Sequence, residues 1–215
     1  MIEEQTEKRK SSFWRELPIL LGVAVLVAVL VRAFVLQTFY IPSPSMEHTL
    51  NVLDRVLVNK LVYDFREPRR GEIIVFEAPS QWQSGAEGED FIKRIIGVPG
   101  DQISYDPADG TGKLKINGVA LDEPYIFTDE GGEQDPPADA KFEVTVPADR
   151  LWVMGDHRSA SGDSLEHFQD SNENVMEATI PEDSVVGRAF TVFWPVGRAT
   201  WLSVPDGFSA IPDPK

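Results

Sequence analysis

The run LPILLGVAVLVAVLVRAFVL, residues 17–36, decides the architecture, because its twenty residues carry a single charge, Arg32. At about 1.5 Å per residue such a helix reaches ~30 Å, the thickness of a bilayer's hydrocarbon core. Pro18 falls in the first turn, where its missing N–H costs nothing. Arg32, near the far end, can extend its head to the interface. Phe13 and Trp14 precede the run and Phe39 and Tyr40 come after it, as interfacial aromatics do. The run is longer than the apolar region of a cleaved signal sequence, and no A-x-A site comes after it. The expectation is an uncleaved transmembrane helix over 17–36. Lys8, Arg9, Lys10 and Arg15 lie before it, and residues 37–54 hold no Lys or Arg. The positive-inside rule then makes residues 1–16 a cytoplasmic tail and puts residues 42–215 outside, in a single-pass protein of the cell membrane.

Outward from the span the chain is acidic. Its 215 residues carry a net charge of −15, and the first sixteen hold four acids and four bases, so the whole excess belongs to residues 17–215. Few cations are available to replace phosphate counterions, which argues against a nucleic-acid partner. Cysteine is absent, which removes disulfides, thiolate nucleophiles and cysteine metal sites and leaves the compartment open. Beyond Tyr40 the apolar period is near two. Short runs rich in Val, Ile and aromatics, bounded by Gly, Pro or Asp, predict strands over 55–62, 72–76, 91–97, 113–116, 119–121, 142–146, 151–154 and 185–193. Asn117-Gly118 between two of them is a type I′ hairpin signal. The fold class expected is mainly β: one N-terminal transmembrane helix, then an antiparallel sheet or barrel-like domain over 37–104 and 150–205. A small β subdomain is inserted over 105–149, and 206–215 form a C-terminal tail. The polar stretch 79–90 and the acidic stretch 128–140 read as solvated loops.

Three segments carry candidate chemistry. In Ile41-Pro42-Ser43-Pro44-Ser45-Met46 two prolines pin an extended backbone that presents Ser45 just beyond the span. Without a base beside it the segment reads as a stiff polar linker between the span and the domain. In Phe91-Ile92-Lys93-Arg94-Ile95 a strand places Lys93 on one face with Phe91 and Ile95. An ammonium among apolar neighbours is desolvated and its pKa falls, so the neutral amine can serve as a general base; the plain alternative is a lysine reaching water from a sheet edge. Arg94 faces the other way and reads as structural. Gly155-Asp156-His157-Arg158-Ser159-Ala160-Ser161-Gly162-Asp163-Ser164 is a polar loop that is either an ordinary turn or a holder for a catalytic amine. The three histidines, His48, His157 and His167, leave a Ser-His-Asp triad or a metal site as minor options, with Asp156 and Asp163 nearby.

Taken in order, Pro-Ser-x-Ser-Met, then Lys-Arg-x-x-Gly-x-Pro-Gly-Asp, then Gly-Asp-x-Arg-x-x-Ser-x-Asp-Ser resemble the type I signal peptidase family. Asp54-Arg55-Val56-Leu57-Val58-Asn59-Lys60 and Arg70-Gly71-Glu72-Ile73-Ile74-Val75-Phe76 are also similar to that family's motifs. The resemblance implies a membrane-bound serine endopeptidase of mostly β fold that removes signal peptides with a Ser/Lys dyad, without metal or cofactor. It assigns Ser45 as nucleophile and Lys93 as general base, with the bacterial Ser/Lys branch. Ser43 and the Ser45 N–H form the oxyanion hole, and Ser161 orients the lysine. Asp156, Arg158 and Asp163 support the site structurally. The partners implied are signal-peptide-bearing preproteins and membrane lipid. Two positions depart from the pattern: Pro44 stands where many members have Gly, and Leu165 where many have Arg. Asp163 must therefore pair elsewhere, with Arg158 as the candidate, or not at all. The alternatives are a Ser/Lys protease with another membrane-proximal target, and a non-enzymatic exterior β module. The distance between Ser45 and Lys93 separates enzyme from module.

Overall fold

The computed structural model describes residues 10–83 and 88–214. Helix α1 (Lys10–Phe34) leads, through the single residue Val35, into β1 (Leu36–Tyr40). Next come β2 (Arg55–Asn59), α2 (Val62–Phe65), β3 (Ile73–Glu77), β4 (Asp90–Gly97), β5 (Gln102–Tyr105), β6 (Lys115–Ile116), β7 (Val119–Ala120), β8 (Phe142–Thr145) and β9 (Arg150–Met154). The chain closes with α3 (Ser164–Asp170), α4 (Val175–Ala178), β10 (Ile180–Pro181), β11 (Val185–Trp194) and β12 (Thr200–Trp201).

The mainly β, antiparallel expectation holds. One sheet runs β1-β2-β11-β3-β4-β9-β10, with β12 added to β11, and a second runs β7-β6-β5-β8. β3 shows why the main sheet is stable. Its apolar run is buried on both faces: Ile73 and Val75 pack with Ile41, Met46 and Val56, while Ile74 and Phe76 pack with Trp82, Ile95 and Val153. The alternation repeats in β9, where Leu151 and Val153 face that same second cluster and Trp152 and Met154 turn to the small sheet. There Trp152 stacks on Phe142 with centroids 5.6 Å apart, so the two sheets share one core. The hairpin forms as its turn residues require, with Asn117 at φ 52° and Gly118 at φ 82° between β6 and β7.

Four differences from the sequence reading stand out. The helix ends at Phe34, and Leu36 already pairs with Asn59. Phe39 and Tyr40 are strand residues opposite Val56 and Arg55. β5 is also a strand, since Ile103 and Tyr105 alternate inward with too few residues to stand out as a pattern. The polar 155–164 loop runs into a short helix because Asp163 caps it. Among the described residues no helix is long and apolar enough to cross a membrane. Several side chains of α1, those of residues 28, 30, 33 and 34 among them, lie outside the described ones, as do residues 84–87 of the 79–90 loop.

Candidate active site

Ser45 sits on a tight turn after β1. The Glu47 N–H donates to the Pro44 carbonyl at 2.9 Å and the Leu50 N–H to the Met46 carbonyl at 2.7 Å. Met46 and Leu50 are fully buried in the main-sheet core, so the turn is bolted down on its apolar side. Lys93 comes from β4, which pairs with β3 over Asp90–Arg94 but with β9 only from Arg94 onward. Residues 90–93 therefore present an unpaired edge, and Lys93 stands at its inner end.

The two side chains meet. Lys93 Nζ lies 2.6 Å from Ser45 Oγ, with Lys93 4% and Ser45 6% exposed. Burial pulls the Lys93 pKa down to about 8, against the opposing pull of Asp163, Asp156 and Glu166. The Phe91 ring lies 5.7 Å from the amine, the neighbour its strand position predicts. Ser43 Oγ is 3.3 Å from Ser45 Oγ. The Ser45 N–H donates to no acceptor among the described residues. A hydroxyl beside a desolvated amine, with an unengaged backbone N–H and a second hydroxyl close by, is an arrangement that can carry out acyl transfer.

Around this centre the supporting residues divide. Ser161 is buried beside Gly155, where a Cβ would collide with the Ser161 hydroxyl and the Ser45 carbonyl oxygen, so only glycine fits. The hydrogen bond expected from Ser161 to the lysine amine is not formed, and its hydroxyl has no partner among the described residues. Asp163 does not pair with Arg158. Its carboxylate accepts from the Gly155 N–H at 2.9 Å and the Leu165 N–H at 3.0 Å, which places it as a backbone clamp. Two amide donors satisfy it without the cation that Leu165 lacks. Arg158 instead pairs with Glu123 at 2.6 Å and donates to the carbonyls of Gly155 and Pro137, each at 2.9 Å. Asp156 takes both arms of Arg94, at 2.8 and 2.6 Å, and the hydroxyl of Thr49. Arg94 is thus structural, as its strand face suggested, with its guanidinium 4.1 Å over the Tyr125 ring.

No histidine stands at the Ser45 hydroxyl. His48 Nδ1 is held by the carbonyls of Tyr125 and Ile126, and His167 stacks on Trp82 at 4.4 Å. His157 Nδ1 faces the Pro44 carbonyl at 3.2 Å. Glu123, Tyr125 and Thr49 carry no signal in the sequence, because what ties them to the site is distant: Glu123 meets Arg158 and Thr49 meets Asp156, 35 and 107 positions away, and Tyr125 meets Arg94 through its ring face. Among the described residues no three His, Asp or Glu side chains gather as a metal would need.

Comparison with known proteins bears on what this geometry serves. The family model described as "Signal peptidase, peptidase S26" matches residues 14–194. A probable signal peptidase I-2 from Synechocystis sp. is 38% identical over 206 residues, covering 94% of this chain and 85% of its own. A signal peptidase I from Leptolyngbya laminosa is 40% identical over 191 residues, covering 87% and 83%. A solved signal peptidase I from Enterococcus faecalis V583 aligns at 26% identity over 57% of this chain and 97% of its own, with a TM-score of 0.41. The family match takes in both Ser45 and Lys93, and the chain belongs to the signal peptidase family, peptidase S26.

Proposed function

We propose that this chain is a membrane-bound serine endopeptidase that removes N-terminal signal peptides from exported proteins through a Ser45/Lys93 dyad. The observation that carries the reading is the 2.6 Å approach of a buried, deprotonatable amine to a buried hydroxyl. Neutral Lys93 takes the Ser45 proton as Oγ attacks the scissile carbonyl. The oxyanion is held by the Ser45 N–H and Ser43 Oγ. Lys93 passes the proton to the leaving amine, then activates the water that hydrolyses the acyl-enzyme. The unpartnered Ser161 hydroxyl is available to accept from the ammonium formed midway. Asp156, Arg158 and Asp163 hold the surrounding loop. The substrate, with small residues at its −1 and −3 positions, lies as an added strand against the open edge of residues 90–93.

The membrane part of the reading rests on surface chemistry. α1 presents Leu17, Ile19, Leu20, Leu21, Val23 and Val25 to its surroundings, an apolar surface that wraps the helix and suits lipid. On the domain, Trp194, Val196 and Trp201 are more than half exposed, a second apolar surface suited to an interface. The cytoplasmic tail at 1–16 and the exterior placement of the domain derive from the basic residues before the span. Protease added to intact spheroplasts should then digest the domain, and a protected domain would overturn the orientation.

The chemical reading is tested by cleavage of an Ala-x-Ala preprotein with detergent-solubilised protein. Ser45→Ala should be inactive. Ser43→Ala should lower kcat by roughly 10²- to 10³-fold with KM nearly unchanged, the effect of losing one oxyanion donor. An unchanged kcat would reduce Ser43 to part of a stiff linker.

A further inference from the structure

We infer that His157 is a positioning residue for the oxyanion hole, orienting the Pro44–Ser45 peptide so that the Ser45 N–H points at the developing charge. The inference rests on the oxyanion reading above. A trans peptide is a rigid plate whose C=O and N–H point in opposite directions, so fixing the Pro44 oxygen fixes the Ser45 N–H. That oxygen is held twice: by the Glu47 N–H at 2.9 Å and by His157 Nδ1 at 3.2 Å. A carbonyl oxygen only accepts, so Nδ1 carries the proton. Glu47 Oε2, 3.4 Å from the same nitrogen, favours that form.

His157 grips the neighbouring peptide as well, since its own N–H donates to the Ser45 carbonyl at 3.1 Å. Both peptides flanking the nucleophile's Cα are therefore tied to one residue. The imidazole is itself held in place. It stacks on Phe127 at 3.8 Å and 16°, and the Phe127 N–H donates to the Asp156 carbonyl at 2.8 Å. Donation to the Pro44 oxygen also polarises the amide and makes the Ser45 N–H a stronger donor. A free amide at the nucleophile and a double hold on the opposite end of the same plate are what an oxyanion donor needs in advance of substrate.

The test is steady-state cleavage by His157→Ala, His157→Asn and His157→Phe, with thermal midpoints measured in parallel. His157→Ala should lower kcat by about 10- to 10²-fold, the scale of a misplaced catalytic group, and leave KM within about twofold. His157→Asn can present an amide N–H to the Pro44 oxygen and should recover most of the loss. His157→Phe keeps the stack on Phe127 without the donor, and should be as slow as His157→Ala. A full-speed His157→Phe, or loss in all three variants that tracks only their thermal midpoints, overturns the inference in favour of simple packing. Ser43→Ala, run alongside, separates the two ideas. If Ser43→Ala is slow and His157→Ala is not, the role of His157 falls and the oxyanion hole stands. If Ser43→Ala is unimpaired, the oxyanion reading falls and takes the inference with it.

Discussion

Lys93→Arg should abolish preprotein cleavage, lowering kcat/KM by at least ~10⁴-fold, although it keeps a positive charge at the same place. Removal of the base from a serine-protease centre is a loss of this order or larger. In the proposed dyad the amine works only when neutral, and burial holds its pKa to about 8. In the unaltered protein kcat/KM should therefore rise about tenfold for each pH step up to about 8 and level off above it. A guanidinium cannot release its proton in that range. Substantial cleavage by Lys93→Arg would mean that the residue acts through its charge, and the dyad mechanism would have to be given up.

The same burial has a stability signature of definite sign. The native lysine titrates near 8 and the unfolded one near 10.5, so between those values the unfolded chain binds more protons. Stability of the unaltered protein should rise with pH through that window, and the cost of burying the ammonium is fully present below about 8. Lys93→Met removes the cost. At neutral pH it should be more stable by about 3 kcal/mol, with the advantage vanishing above pH 10.5. Urea unfolding of both proteins at several pH values measures this, and a gain that does not depend on pH would exclude the buried-charge explanation. Inactive but stabilised is the outcome a catalytic base predicts.

Asp156→Ala should destabilise the fold by about 3–5 kcal/mol, since it leaves a buried guanidinium unpaired. Arg94 is 2% exposed and Asp156 fully buried, and Thr49 loses its acceptor in the same step. A chain of this size should lose about 6–20 °C of thermal midpoint. Replacing both partners, Arg94→Met with Asp156→Leu, should cost far less, because neither charge is then stranded. A loss below about 1 kcal/mol in Asp156→Ala would show that water reaches Arg94 when its partner is gone.

Much of the fold is legible in the sequence because local chemistry dictates it. Asn117-Gly118 can hardly be anything but a tight hairpin, and the apolar runs of β3, β4 and β9 announce strands that the sheet covers on both faces. Ser45 and Lys93 are legible only through the ordered motifs, since 48 positions separate them and no spacing rule joins a turn to a strand. What the sequence hides is of one kind. Asp163, expected to seek a cation, is satisfied by two backbone amides instead. Arg158, the candidate partner for Asp163, is taken by Glu123, from a segment with no pattern of its own. Strands as short as β10 and β12 exist only because a neighbour pairs with them.

The junction between α1 and β1 leaves almost no slack. Val35 is the one residue between them, and its carbonyl is already taken by the Lys60 N–H at 3.0 Å. β1 is then laddered to β2 along its whole length, and Ile41 exchanges hydrogen bonds with Asp54 and Leu53 just before the prolines that lead to Ser45. A helix seated in lipid would thus hold the nucleophile at one height, as a gauge rather than a tether. The bond that is cut would be chosen partly by how far a substrate's backbone stands from the bilayer, and a few glycines spliced in at Val35 would blur that choice before they slowed the chemistry.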